Sequence, residues 1–166
     1  MLPSNASAMA IRAAFFLALR PSGKLSPVRE IAKRTGLPEP YLAKIIRQLV
    51  SAGLVRAFRG PGGGITLSRP PRAITLWDIV RTIEGSPETE PCVLGLQACS
   101  EQTPCPVHHR FASIRADTRR LMEETTLASL TNSLGGKIKL EKQSWARLPE
   151  ETVRRPSGKA RKQKTR

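Results

Sequence analysis

Cys92, Cys99, Cys105 and His108 spell C-x6-C-x5-C-x2-H on a segment framed by Pro91, Pro104 and Pro106. With His109 they account for every cysteine and histidine among 166 residues. Thiolates and an imidazole gathered on one loop suit an iron–sulfur cluster or Zn2+, although zinc sites more often use paired C-x2–4-C units. The same thiols also suit a reversible disulfide switch, or no role at all. An odd cysteine count argues against a secreted disulfide scaffold and places the chain in a reducing cytoplasm. Catalysis is not expected. There is no C-x-x-C, no Ser/His/Asp arrangement, and no phosphate- or dinucleotide-binding glycine pattern.

The charge surrounding this array is lopsided. The chain carries 28 Lys and Arg against 13 Asp and Glu, a net +15. Residues 1–84 hold 13 basic and 4 acidic side chains, and residues 135–166 hold 11 and 3. The intervening segment has 4 basic and 6 acidic residues. A basic front half and a basic tail point to a polyanionic partner, nucleic acid first. No run is long enough to cross a bilayer, so no membrane partner is expected.

The elements that must position these groups follow from periodicity. Ala10, Ile11, Ala14, Phe15 and Ala18 repeat at helical spacing behind a Ser4 or Asn5 cap. Ser26-Pro27 reads as a cap and first residue of a second helix, ending near Thr35 before Gly36. A third helix runs from Pro38 or Glu39 to Ala52, with Leu42, Ile45, Ile46, Leu49 and Val50 on one face. Two β-prone runs, 54–58 and 65–67, flank the loop R-G-P-G-G-G. The order predicts a mainly α fold with a small β-hairpin, a winged helix–turn–helix. Another helix is expected over residues 75–83, with Thr75 and Asp78 at capping-box spacing. A long helix from about His108 to Thr125 carries Phe111, Ile114, Thr118, Leu121 and Met122 as an apolar stripe suited to a dimer seam.

Four regions result: a DNA-binding domain over 1–84, a cysteine loop over 85–107, and a dimerisation helix with a C-terminal turn over 108–134. The fourth is a basic tail over 135–166, too polar to offset its ordering entropy and so expected to be disordered. At the start of the third helix, Pro38, Glu39, Pro40, Tyr41, Ala43 and Lys44 are candidates for the major groove. The wing glycines Gly60, Gly62 and Gly63 let the backbone approach DNA closely, and Arg59 is placed for the minor groove.

Tyr41-Leu42 in the third helix, the wing R-G-P-G-G-G-I at 59–65 and the three cysteines together resemble the Rrf-two superfamily of bacterial repressors and activators. That superfamily includes iron–sulfur cluster biogenesis regulators and nitric-oxide-sensing repressors. The likeness covers residues 1–134 and leaves the tail outside. It implies a homodimer with crossed C-terminal helices, addressing a pseudo-palindrome in double-stranded DNA with half-sites roughly 34 Å apart. It also implies a cluster on Cys92, Cys99 and Cys105. Nitric-oxide-sensing members complete theirs with a carboxylate near the partner's N-terminus, but the first acidic residue here is Glu30. Cluster-biogenesis members use a histidine after the third cysteine, and His108 matches it, with His109 as its alternate. The resemblance thus implies three thiolates and one imidazole on a [2Fe–2S] cluster, and a repressor that senses iron, redox or nitric oxide status. The first cysteine spacing is one residue longer than in the best-known members, an insertion a loop can absorb. A zinc-bound, thiol-switched or cluster-free regulator, or a metal-free architectural DNA binder, is the alternative.

Overall fold

The computed structural model describes residues 3–85, 92–96 and 99–134. The basic tail and part of the cysteine loop lie outside them. Helix α1 (Asn5–Ala18) begins where the Ser4 hydroxyl accepts from the Ser7 backbone N–H at 3.2 Å. Its Ala10, Ala13 and Ala14 are buried and small, so neighbouring helices approach closely. Helix α1 packs against α2 (Val28–Thr35), α3 (Glu39–Ser51), α4 (Leu76–Glu84) and α6 (Leu127–Leu134). The shared core contains Ile31, Leu42, Ile45, Leu49, Ile79 and Leu127.

Helices α2 and α3 form the helix–turn–helix. Gly36 ends α2 at φ 68°, a left-handed position that glycine adopts without steric cost. Pro38 and Pro40 then start α3 with fixed φ and no missing intrahelical bond. The expected cap at Ser26 is not formed. Pro27 occupies the cap position, and Ser26 instead exchanges backbone hydrogen bonds with Ile65 at 2.9 and 3.0 Å. The hairpin of β1 (Val55–Phe58) and β2 (Gly64–Leu67) is antiparallel, pairing Val55 with Leu67 and Phe58 with Gly64. The Ser26 bridge ties its second strand to the segment leading into α2.

A short 3-10 turn, Pro71–Ala73, leads into α4. There Thr75 and Asp78 form the expected reciprocal capping box. Helix α5 (His108–Glu124) lies against α4. After it the chain does not end in a simple turn. It forms α6, started by reciprocal bonds between Thr126 and Ser129 at 3.1 Å, and Leu127 is fully buried in the winged-helix core.

The C-terminal end of α4 is fastened to the start of α1. Glu84 accepts from the Ser4 backbone N–H and the buried Ser7 hydroxyl, each at 2.7 Å. Burial pushes the Glu84 carboxyl up, but the donors Ser7 and Ser4 outweigh it and leave the group below its ordinary value. A carboxyl depressed in the folded state stabilises it above the unfolded pKa, and that contribution is lost as pH falls through the folded pKa. Glu84→Ala should therefore lower stability at neutral pH, by less than about 1 kcal/mol because solvent screens this exposed carboxylate, and flatten the acid limb of stability against pH. Thermal melts from pH 7 to pH 3 check this, and an unaltered acid limb would remove Glu84 from the account.

Candidate metal centre and nucleic-acid interface

The chain turns tightly after Cys92, with the Gly95 N–H bonded to the Cys92 carbonyl at 2.8 Å and Gly95 at φ 73°. This turn aims the backbone N–H groups of Leu94 and Leu96 at the Cys92 sulfur. Such a concave set of amides favours a negatively charged atom. Cys105 is fixed by a second turn, in which its carbonyl accepts from the His108 N–H at 2.9 Å as α5 begins. That bond sets the third thiol and the imidazole on the same end of one helix.

The three cysteine sulfurs lie within 4.8 Å of one another. Cys92 and Cys105 approach to 3.7 Å, and Cys99 lies 3.1 Å from His108 Nδ1. Cys105 is buried, whereas Cys92 and Cys99 are partly exposed. The Leu94 N–H, aided by Leu96 and the other thiols, brings the Cys92 thiol down to about 7. Cys99 accepts a lowering bond from the Cys105 backbone, but burial and the neighbouring thiols outweigh it and raise the group. The donors fit a thiolate-bound metal group, since the sulfurs converge and the Cys92 thiol is shifted toward ionisation. His108 lies against the Cys99 sulfur with its side chain 11% exposed, while the His109 side chain is 72% exposed. Glu101 was not anticipated here. A turn closed by Ser100 and Thr103 folds its carboxylate back onto His108 Nε2, at 3.0 Å. Seven residues of separation carry no periodic signal for such a contact. The Glu101 carboxyl is held below its ordinary value, chiefly by the His108 hydrogen bond.

The second surface is the solvent face of the winged helix. Pro38, Glu39, Pro40, Tyr41 and Lys44 are exposed, and Ala43 is half-buried. Arg47, one turn beyond Lys44, is exposed too and extends the basic face. Its three-residue spacing from Lys44 is the signal that marks it. Arg59 and Gly60 are exposed at the wing tip. Gly60 and Gly62 have φ of 93° and 76°. At Gly63 a Cβ would strike the Phe58 carbonyl oxygen and come within 2.9 Å of the Gly60 oxygen. The tip is thus built for glycine.

On α5 the apolar stripe divides. Met122 is buried within the chain's own fold, because α5 packs on α4. Ile114 and Leu121 are 55% and 64% exposed, and Phe111 and Thr118 are intermediate. One side of the helix is attached by Arg119, whose guanidinium lies 4.9 Å from the centre of the Trp77 ring on α4. Among the described residues no helix is long and apolar enough to cross a membrane.

Comparison with known proteins places this architecture. The Rrf2 family model, described as an iron-dependent transcriptional regulator, matches residues 4–133. A protein of Aquifex aeolicus (strain VF5), described as an HTH-type transcriptional regulator, is 35% identical over 134 residues, covering 80% of this chain and 92% of its own. CymR (YrzC), the global cysteine regulator of B. subtilis, superposes with a TM-score of 0.68 at 26% identity, covering 80% of this chain and 98% of that one. IscR of T. potens superposes with a TM-score of 0.66 at 29% identity, covering 83% and 92%. These relatives are regulators of transcription and not enzymes, and this chain belongs to the Rrf2 family of transcriptional regulators.

Proposed function

We propose that the protein is a cytoplasmic, homodimeric repressor whose affinity for its operator is set by a [2Fe–2S] cluster on Cys92, Cys99, Cys105 and His108. The observation that carries this reading is the sorting of the four donors into two close contacts, Cys92 with Cys105 and Cys99 with His108. A [2Fe–2S] group takes two protein donors on each iron. When bound, it supplies a state that iron supply, oxidants or nitric oxide can change. The compactness of the three sulfurs, all within 4.8 Å, supports a second reading, a single Zn2+ in a Cys3His set.

The chain's own residues suggest how such a change reaches DNA. His108 is the first residue of α5, so a shift at the donor loop moves the start of that helix. Further along, Arg119 rests on Trp77 of α4, which packs on α1 and α3. Tyr41, Lys44 and Arg47 on α3 and Arg59 on the wing then meet major groove, phosphates and minor groove at altered spacing between protomers. The homodimer is supported by two apolar features of one chain. Ile114 and Leu121 stand out from α5, and Ile11, Phe15, Leu76 and Leu130 line an apolar groove across α1, α4 and α6. A stripe and a groove on the same chain can satisfy each other twice about a two-fold axis.

Protein purified without oxygen should show visible sulfur-to-iron charge-transfer bands, with iron and acid-labile sulfide in equal amounts. Stoichiometric zinc without sulfide hands the site to the second reading, and neither metal after reconstitution removes metal control. Footprinting should protect a pseudo-palindrome, whereas uniform coating would support an architectural DNA binder. Arg59→Ala should weaken operator binding by about 1–3 kcal/mol in titrations at fixed salt. Unchanged affinity would take the wing out of the interface.

A further inference from the structure

The imidazole of His108 is gripped at both nitrogens. Nδ1 lies 3.1 Å from the Cys99 sulfur, and Nε2 lies 3.0 Å from Glu101 Oε1. The ring is nearly buried, at 11% exposure, while the carboxylate stands at the solvent edge at 70%. An ionised carboxylate can only accept a hydrogen bond, so the proton of a neutral imidazole belongs on Nε2. Its lone pair then belongs to Nδ1, the atom that faces the Cys99 sulfur. Glu101 is itself shaped by local structure, because the Thr103 N–H bonds to Ser100 Oγ at 3.2 Å and closes the turn that carries it.

We infer that Glu101 is a positioning residue: it holds His108 in the Nε2–H tautomer and presents Nδ1 as the fourth donor to the metal group. This rests on the cluster reading above. A carboxylate behind a metal-bound histidine orients the ring and raises its basicity, and losing such a partner typically weakens metal retention about 10–100-fold. His109 does not take this part. Its Nδ1 is 4.0 Å from Glu101 Oε2, and its ring is 72% exposed and set edge-on to His108.

The test uses the full-length protein purified without oxygen, with two readouts. The first is the rate of cluster loss to an iron chelator in wild type, Glu101→Ala, Glu101→Gln and His109→Ala. Glu101→Ala should lose the cluster about 10–100-fold faster. Glu101→Gln keeps an acceptor oxygen at the same place and should recover most of the difference, while His109→Ala should match wild type. An unchanged rate in Glu101→Ala overturns the proposal, and so does His109→Ala acting as strongly as Glu101→Ala. The second readout is the 15N spectrum of His108 in metal-free protein, with His108→Ala for assignment. It should show the Nε2–H tautomer in wild type and a mixture in Glu101→Ala. If wild type holds no cluster, the cluster reading fails and this second readout alone decides the tautomer: a mixture appearing only in Glu101→Ala supports the role of Glu101, and identical spectra overturn it.

Discussion

The chain after α5 is bound back onto the winged helix by two backbone hydrogen bonds, and this return makes the rest of the molecule mechanically meaningful. The Leu76 N–H donates to the Thr125 carbonyl and the Leu127 N–H to the Ile74 carbonyl, both at 2.9 Å. They join the start of α4 to the start of α6, and the burial of Leu127 locks the junction. Helix α5 is therefore tied down at its C-terminal end by this bridge and packs on α4, while the turn from Cys105 to His108 leads into its start.

The wing depends on a similar economy of space. Gly64 sits so close to Ser26 that a Cβ would come within 2.9 Å of its backbone. This lets the second strand pair with the segment leading into α2 and orients the hairpin relative to the helix–turn–helix. The wing and the helix–turn–helix are thus set by one framework.

Charge separates the two surfaces as clearly as geometry does. The winged helix is strongly basic, while the cysteine segment carries more acidic than basic residues. Thiolates and a carboxylate-bound imidazole are compatible with that second environment. Within the cationic half they would compete with DNA phosphate for the same side chains.

Much of the fold was legible in residue order because it is made locally. The Ser4 cap, the Thr75–Asp78 capping box, Gly36 and the α3 stripe each act within a few residues and appear where their spacing puts them. The gathering of the three cysteines was equally legible, since rare residue types at short spacing mark themselves. Other features depended on residues far apart in the chain. Ser26 looked like a cap, yet its backbone went to Ile65, because completing the sheet edge satisfied both its N–H and its carbonyl. The α6 return escaped notice because its stability comes from burying Leu127 in a core assembled elsewhere. Met122 read as dimer seam and turned inward, since helical periodicity gives a face but not what covers it. Glu101 reached His108 through a turn and a helix start acting together. Sequence alone determined which chemistry was present and which local elements would form, because caps, turns and periodicity are short-range. Tertiary structure alone decided which nitrogen of His108 meets the Cys99 thiol and which side of α5 is exposed, because both depend on what packing brings alongside.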